Sequence, residues 1–425
     1  MFQTIKNAWK IPELRKKLIF TLFVLLIFRI GSVIPVPYIN RTMLELYLAT
    51  PEMSGTILGL YNVMSGGAFA NATAFALGIQ PYINASIIIQ LLTIAIPALE
   101  RLAKEGGEEG KKTINKITRY GTVALGMLMG LAYFMMLRNN GLVMNGFAQG
   151  LVIVLAFTAG SAMVMWMGEQ ITEHGIGNGI SMILFANIVA GLPGMAGTMG
   201  ESALFTWWAA LIVVVVLLAL VVFIVFINDA ERRIPVQYAK RQVGRKMYGG
   251  QSSNLPMKVN MSGVLPVIFA QSIASLPITI WSFIGIPEEG TVSYSIYQAI
   301  DTKSVVYMVA YFIMIIGFSY FYSSIQFNPV EIANNMKKQG GFIPGFRPGK
   351  PTADFIKKVL NKITLFGAIY LGIVAICPLI VGRIIGNDNI AIGGTSVIIV
   401  VGVALETVKA LENQMLMRQY KGFLE

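Results

Sequence analysis

Amide and hydroxyl side chains are concentrated in one otherwise apolar stretch of the chain, residues 62–90. Its second half carries four of them, at Gln80, Asn84, Ser86 and Gln90. Gly66 and Gly67 separate this half from the first. Polar groups at membrane depth are tolerated where they face protein or a cavity. The segment is therefore predicted to line a path through a membrane.

Side chains suited to catalysis are scarce. The chain has one histidine, His174, and one cysteine, Cys377. Pairing them would require a thiol in the membrane core to meet a cytoplasmic loop, and no group of residues has the spacing of metal ligands. We therefore expect no enzyme activity, no ATP hydrolysis, no metal and no cofactor.

Two glycine-rich strings resemble nucleotide-binding motifs but lack essential positions. GGEEGKKT, at 106–113, has Glu105 where a phosphate-binding loop begins with glycine, and Lys112 where Ser or Thr follows the lysine. GIGNG, at 175–179, follows an apolar span rather than a strand. The first is interpreted as a solvated loop and the second as a tight turn.

Composition indicates a membrane protein. Of 425 residues, 55% are hydrophobic and 13% are charged, a balance that soluble domains of this length do not show. Runs of about 20 nearly uncharged residues mark spans. Ten such runs are predicted, at 18–34, 77–96, 120–137, 151–167, 180–192, 207–227, 264–284, 304–324, 363–381 and 390–405. The sixth is apolar all round and is predicted to face lipid.

Helical spacing aligns several side chains on narrow stripes, at about 100° per residue. The stripes are Ile79, Ile83, Ser86 and Gln90 in the second span, Ile268, Ser272 and Ser275 in the seventh, with Gln271 at the margin, and Ile180, Leu184 and Asn187 in the fifth. An aliphatic ring beside polar surface is one interpretation. Ordinary interhelical packing, with Ser and amides as hydrogen-bonding groups, is the other. Under both interpretations, these helix faces point toward the protein interior rather than toward lipid.

Basic residues are distributed unevenly between the spans. Of 33 Lys and Arg, 28 fall in the segments assigned to the cytoplasm, and Arg41, Arg138, Lys303 and Arg383 fall on the other side. Arg29 alone lies within a span. The positive-inside rule then puts both termini in the cytoplasm. The first run is predicted to be a retained helix because no small-residue cleavage site follows it.

Basic loops can fix topology and attract anionic lipids, or they can also dock acidic protein or ribosomal RNA. Topology alone usually explains short loops. The loops 229–262 and 326–362 are longer than a tether requires and contain turn-forming strings, YAKRQVGRKMYGG and GGFIPGFRPGKPT. Docking is therefore favoured for these two.

Long strings over nearly the whole chain resemble the SecY family of protein-translocation channels. They are MSGGAFANATAFALGIQPYINASIIIQLL, ITEHGIGNGISMILFANIVAGLP, YAKRQVGRKMYGGQSSNLPMKVNMSGVLPVIFAQS, GGFIPGFRPGKPT and IGGTSVIIVV. The resemblance implies an all-α polytopic membrane protein, with ten transmembrane helices in two inverted five-helix halves around a central pore. The implied divisions are a basic amphipathic segment (1–17), the two halves (18–197 and 207–410), a hinge (198–206) and a cytoplasmic tail (411–425).

The resemblance also implies the parts of a channel. The pore ring would be Ile79, Ile83, Ile180, Leu184, Ile268 and Ile399. The plug, a short helix at about 60–74, would include Leu60, Asn62, Ser65, Gly66, Gly67 and Phe69. The lateral gate would be formed by Ser86, Gln90, Gln271, Ser272 and Ser275. Asn187 departs from the family pattern, which favours a small residue there, and the tail is short.

The implied partners are SecE and SecG, the SecA motor, the ribosome through its RNA and protein, signal peptides, nascent chains and anionic lipids. Arg241, Arg245 and Arg347 would be docking contacts, although Arg347 could instead cap carbonyls in its own turn. The implied location is the cytoplasmic membrane. A chain of this kind would pass unfolded secretory polypeptides across the membrane and release transmembrane segments laterally.

Two other classes compete with this interpretation. A small-solute transporter would share many spans, but it usually has ionisable groups at midplane. The second to ninth predicted spans contain no charged residue, and Glu406 lies at the edge of the tenth. A scaffold that docks the ribosome without conducting anything would leave the inward polar stripes unexplained.

Overall fold

The computed structural model describes residues 2–49, 61–62, 64–143, 146–200, 207–238, 241–243, 246–248, 252–261, 263–284, 290–301, 304–385 and 388–421. Within these ranges the chain is mainly helical. Helices of the N-terminal half are α1 (Phe2–Lys10), α2 (Pro12–Gly31), α3 (Arg41–Ala49), α4 (Gln80–Ala95), α5 (Pro97–Glu105), α6 (Gly107–Asn139), α7 (Phe147–His174) and α8 (Gly179–Gly200). Those of the C-terminal half are α9 (Trp207–Asp229), α10 (Leu265–Ile284), α11 (Val292–Ile300), α12 (Val305–Gln326), α13 (Pro329–Lys338), α14 (Lys350–Ile385) and α15 (Asp388–Lys421).

Each of the ten predicted spans overlaps one of these helices. Four helices, beginning at Gly107, Phe147, Val305 and Lys350, are long and apolar enough to cross a membrane by themselves. A fifth span is possible if α4 and α5, bent by 104° at Ile96, count as one. Pro97 at the start of α5 explains the bend, because the residue before proline favours extended backbone. Ten crossings therefore stay a prediction.

The helical fold carries a small β-sheet in the two long basic loops, which the sequence did not predict. β1 (Glu231–Tyr238) pairs antiparallel with β4 (Ser252–Lys258), and β5 (Gly341–Phe342) joins the other edge of β1. A separate ribbon pairs β2 (Arg241–Val243) with β3 (Lys246–Tyr248). Loops that are distant in sequence thus share one small sheet.

Several predicted segment boundaries also differ from the helix ends in the structure. α8 continues to Gly200, so the first residues of the predicted hinge are helical and residues 201–206 lie outside the described part. α15 runs to Lys421, so no break separates the C-terminal half from the predicted tail at 411. The predicted plug is mostly a series of turns after residue 64 rather than a helix. Gly66 and Gly67 cause this, because both have positive φ (64° and 86°).

Burial divides the helices into inner and outer faces. One large apolar core includes residues of α4, α8, α10 and α15 together with the turns before α4. α9 presents Leu218, Val222 and Phe226 outward, with 61%, 68% and 71% of each residue exposed. Such a face suits lipid, as predicted for the sixth span.

Candidate functional site

The six predicted ring residues lie in the central core. Ile79, Ile83, Leu184, Ile268 and Ile399 are each at most 4% exposed. Ile180 is partly buried and packs against the same core. Ile79 precedes α4, and its carbonyl accepts the amide hydrogen bond of Ile83 at 3.1 Å. The helical spacing that aligned these two residues therefore holds from Ile79 onward.

Hydrogen bonds hold the plug turns against one another. The Asn62 carbonyl oxygen accepts from the Gly67 amide at 2.8 Å, and its side-chain Oδ1 accepts from the Ala70 amide at 2.9 Å. Ser65 Oγ donates to the Asn62 carbonyl and accepts from the Phe69 amide. Leu60 lies outside the described residues. Five of the six predicted plug residues thus form one local unit.

The turns of the predicted plug lie next to residues of the predicted ring. A pocket between them is lined by Tyr61, Met64, Ser65 and Phe69 from the plug side and by Ile79 and Leu184 of the ring. Gln80 Nε2 lies 3.0 Å from Met64 Sδ. Residues of the predicted plug and two residues of the predicted ring therefore line the same pocket.

Tyr133 of α6 holds the plug from the side, a role that sequence reasoning missed. Its hydroxyl donates to the Phe69 carbonyl oxygen at 2.7 Å, and its ring stacks on Phe69 with centroids 4.4 Å apart. Tyr133 is fully buried. A lone tyrosine in an apolar run gives no sequence signal for this contact.

Two further polar side chains reach the plug. Arg29 Nη1 and the side chain of Asn187 both lie next to Gly66, closer than ordinary van der Waals contact to the position that a β-carbon there would take. The sequence marked Arg29 as the one basic residue inside a span and Asn187 as a departure from the family pattern. Nothing in the sequence indicated that they meet.

The predicted lateral gate lies where α4 contacts α10. Gln271, Ser272 and Ser275 are at most 8% exposed, and Gln90 Nε2 lies 3.5 Å from Ser86 Oγ. The carbonyl oxygens Oε1 of Gln90 and Gln271 are buried without a hydrogen-bond partner in the described residues. The seam is therefore polar and incompletely bonded.

The two predicted docking loops meet in the three-stranded sheet. Arg347 is exposed, and its guanidinium makes no hydrogen bond or ion pair with any described residue. Only its backbone carbonyl is engaged, accepting from Thr352 Oγ1 at 2.8 Å. The capping alternative for Arg347 thus finds no support. For Arg241 only the backbone, in β2, is described, and Arg245 lies outside the described residues.

Comparison with known proteins agrees with this geometry. The family model described as SecY matches residues 73–408. The chain belongs to the SecY family. Over the full length of both chains it is 44% identical to the protein translocase subunit SecY of Streptomyces scabiei and 43% identical to that of Streptomyces griseus.

Solved structures of SecY-type channels share the fold. A protein-conducting channel superposes with a TM-score of 0.66 at 19% identity, covering 97% of each chain. Sec61 from the canine ribosome-channel complex gives 0.62 at 19% identity, again covering 97% of each. The polytopic helical fold of the family is therefore present, with the small sheet as an addition to the helices.

The structure describes the surroundings of the two residues considered for catalysis. The His174 ring packs against Phe20, with centroids 5.9 Å apart, and Cys377 is a free, partly buried thiol. Within the described residues no group of three His, Cys, Asp or Glu side chains could hold a metal ion.

Proposed function

We propose that this SecY-family chain is the channel-forming subunit of a protein translocase in the cytoplasmic membrane. Unfolded secretory polypeptides pass through its centre, and transmembrane segments leave sideways into lipid. The observation that carries the proposal is the set of buried aliphatic side chains proposed as the pore ring, two of which, Ile79 and Leu184, share a pocket with the turns proposed as the plug.

A ring of Ile and Leu suits a polypeptide path for a physical reason. It offers no fixed charge to retain a passing segment, and flexible aliphatic groups fit around varied side chains while limiting leakage of ions and water. With the plug turns packed beneath it, the same ring seals the idle channel. The plug moves aside when a polypeptide enters.

The seam between α4 and α10 serves as the lateral gate. The Oε1 atoms of Gln90 and Gln271 are buried there without a hydrogen-bond partner in the described residues, so part of the polar surface between the two helices is not held by hydrogen bonds. A signal peptide or a nascent transmembrane segment occupies the seam and passes from it to lipid.

The basic sheet region faces the cytoplasm and docks the partner that drives transport. The SecA motor and the ribosome are its expected partners, and Arg241, Arg245 and Arg347 its contacts. Exposed arginines suit this role because a guanidinium pairs with carboxylates and phosphates through two parallel hydrogen bonds. SecE and SecG complete the complex, and both termini lie in the cytoplasm. The chain itself catalyses no reaction.

Protease protection tests the function directly. Vesicles containing this chain with its small partner subunits, the motor and ATP receive a precursor that carries a signal peptide. We expect the precursor to become protected from added protease, and we expect Arg347→Glu to abolish most of this protection. Arg383→Glu is the matched control, because it reverses an exposed charge on the opposite side.

The outcomes separate the classes of function. Assembled complexes that bind ribosomes but protect no precursor would favour the scaffold. Flux of a small solute without protection would favour the transporter. Normal protection with Arg347→Glu would be consistent with the channel function but would show that Arg347 is not a docking contact.

A further inference from the structure

Three buried polar atoms converge on the plug turn without a hydrogen-bond partner in the described residues. They are Nη1 of Arg29 and both side-chain polar atoms of Asn187, Nδ2 and Oδ1. Asn187 is fully buried. α2 supplies the arginine and α8 the asparagine, one helical turn after the ring residue Leu184. The cluster therefore lies beside the plug, next to the seal.

Gly66 covers this cluster with bare backbone. A β-carbon there would lie 2.7 Å from Arg29 Nη1, 3.0 Å from the Asn187 carbonyl oxygen and 3.1 Å from Asn187 Oδ1. Gly66 also has φ +64°, which disfavours any side chain. The space between Arg29 and Asn187 thus admits a peptide backbone and nothing larger.

Although they lie close to Gly66, Arg29 Nη1 and both side-chain polar atoms of Asn187 have no hydrogen-bond partner in the described residues. Arg29 forms no ion pair with any described residue, and an arginine inside a span is costly unless it is paired or hydrogen-bonded. A buried amide that makes no hydrogen bond also carries a free-energy penalty. Seating the plug on these groups therefore raises the free energy of the closed channel.

A polypeptide in the pore needs hydrogen-bond partners of the kind that these groups can supply. Its backbone amides and carbonyls lose water in a narrow apolar passage and require new hydrogen-bond partners. Asn187 can donate and accept, and Arg29 can donate to carbonyl oxygens. We propose that Arg29 and Asn187 form a binding site for polypeptide backbone, covered by Gly66 in the idle channel and occupied by a chain in transit. This inference rests on the proposed plug.

The first test measures plug release in the idle complex. In a Cys377→Ser background, Ala68→Cys places a thiol on the plug at a residue that is 2% exposed. Complexes with the partner subunits in nanodiscs are labelled with a water-soluble maleimide. Arg29→Met and Asn187→Leu replace the polar groups with apolar ones of similar size, so each should slow labelling about tenfold.

Two controls accompany these variants. Gly66→Ala forces a side chain into the filled space and should accelerate labelling, which shows that the thiol reports plug movement. Arg138→Met removes an exposed basic residue away from the plug and should leave the rate unchanged. If Asn187→Leu does not assemble with the partner subunits, Asn187→Ala makes the same comparison.

The second test follows a chain in transit. A precursor is arrested partway through the channel in vesicles, motor ATP is removed, and its backward sliding is timed by loss of protease protection. Both variants should speed backward sliding about fivefold, because the chain loses its backbone contacts. The proposal requires both slower labelling in the first test and faster backward sliding in the second.

Unchanged or faster labelling of Arg29→Met and Asn187→Leu, or unchanged backward sliding, would overturn the backbone site. If Gly66→Ala and an added precursor both left labelling unchanged, the plug assignment itself would be wrong. The two failures are therefore distinguishable.

Discussion

At the scale of single residues, Tyr133 makes the clearest test of how the plug is held. Tyr133→Phe removes the hydroxyl that bonds the Phe69 carbonyl but keeps the ring stacking. The Phe69 carbonyl keeps the hydrogen bond from the Ala72 amide at 3.0 Å, so the variant loses one hydrogen bond, worth about 0.5–1.5 kcal/mol, and labelling of the Ala68→Cys thiol should become several-fold faster. Tyr120→Phe, on an exposed residue of the same helix, should have no effect. Equal rates in both variants would mean that the hydroxyl does not hold the plug.

Residue positions were predictable where they depended on local periodicity. Helical spacing alone put Ile79 with Ile83 and Ile180 with Leu184 on shared stripes, and all four lie in or against the core. The meeting of Arg29, Asn187 and Gly66 was not predictable, because three separate segments bring them together. Neither a lone arginine nor a lone asparagine specifies its partner in sequence.

At the scale of elements, the seam between α4 and α10 makes a prediction with a definite sign. The carbonyl oxygens Oε1 of Gln90 and Gln271 are buried and have no hydrogen-bond partner in the part of the chain that the structure describes. Replacing both residues with Leu removes that penalty and should stabilise the closed seam by about 1–3 kcal/mol. Export of precursors with defective signal peptides should then fall at least tenfold, while strong signals are affected less.

Gln326→Leu is the matched control for this pair, since Gln326 is exposed at the end of α12. Pulse-chase export of one precursor with a strong and a weakened signal measures the effect. Unchanged or improved export of the weak form in the double variant would contradict the gate assignment.

The sheet that joins the two basic loops can be opened at one position. Tyr238 of β1 pairs with Gly341 of β5, and a β-carbon at Gly341 would lie 2.9 Å from the tyrosine ring. Gly341→Val should therefore separate β5 from β1. We expect several-fold weaker binding of the motor and faster amide exchange at Tyr238.

Gly317→Val provides the comparison for this variant, because a β-carbon there meets no atom within 4 Å. Normal motor affinity with confirmed loss of amide protection would show that docking does not need the joined sheet. The sheet escaped prediction because Gln237 pairs with Phe342, and sequence periodicity carries no information about partners so far apart. Turn-forming strings indicated only that the loops are ordered.

At the scale of the whole molecule, the uneven distribution of charge is the property most fully readable from sequence. Basic residues cluster at one end of the predicted spans, and the structure gathers two of the richest loops into one sheet and its apolar support. A surface of this kind attracts acidic partners and anionic headgroups over about one Debye length, roughly 8 Å in physiological salt. The predicted orientation and the proposed docking thus follow from the same asymmetry.

Orientation can be measured with single cysteines in the Cys377→Ser background. Lys357→Cys lies on the predicted cytoplasmic side and Arg138→Cys on the other, and both positions are exposed. A membrane-impermeant maleimide added to intact cells should label Arg138→Cys, and it should label Lys357→Cys only after permeabilisation, because the basic side is retained in the cytoplasm. The cysteine-free parent controls for background. Labelling of Lys357→Cys in intact cells would invert the topology and place the proposed docking sheet where neither motor nor ribosome could reach it.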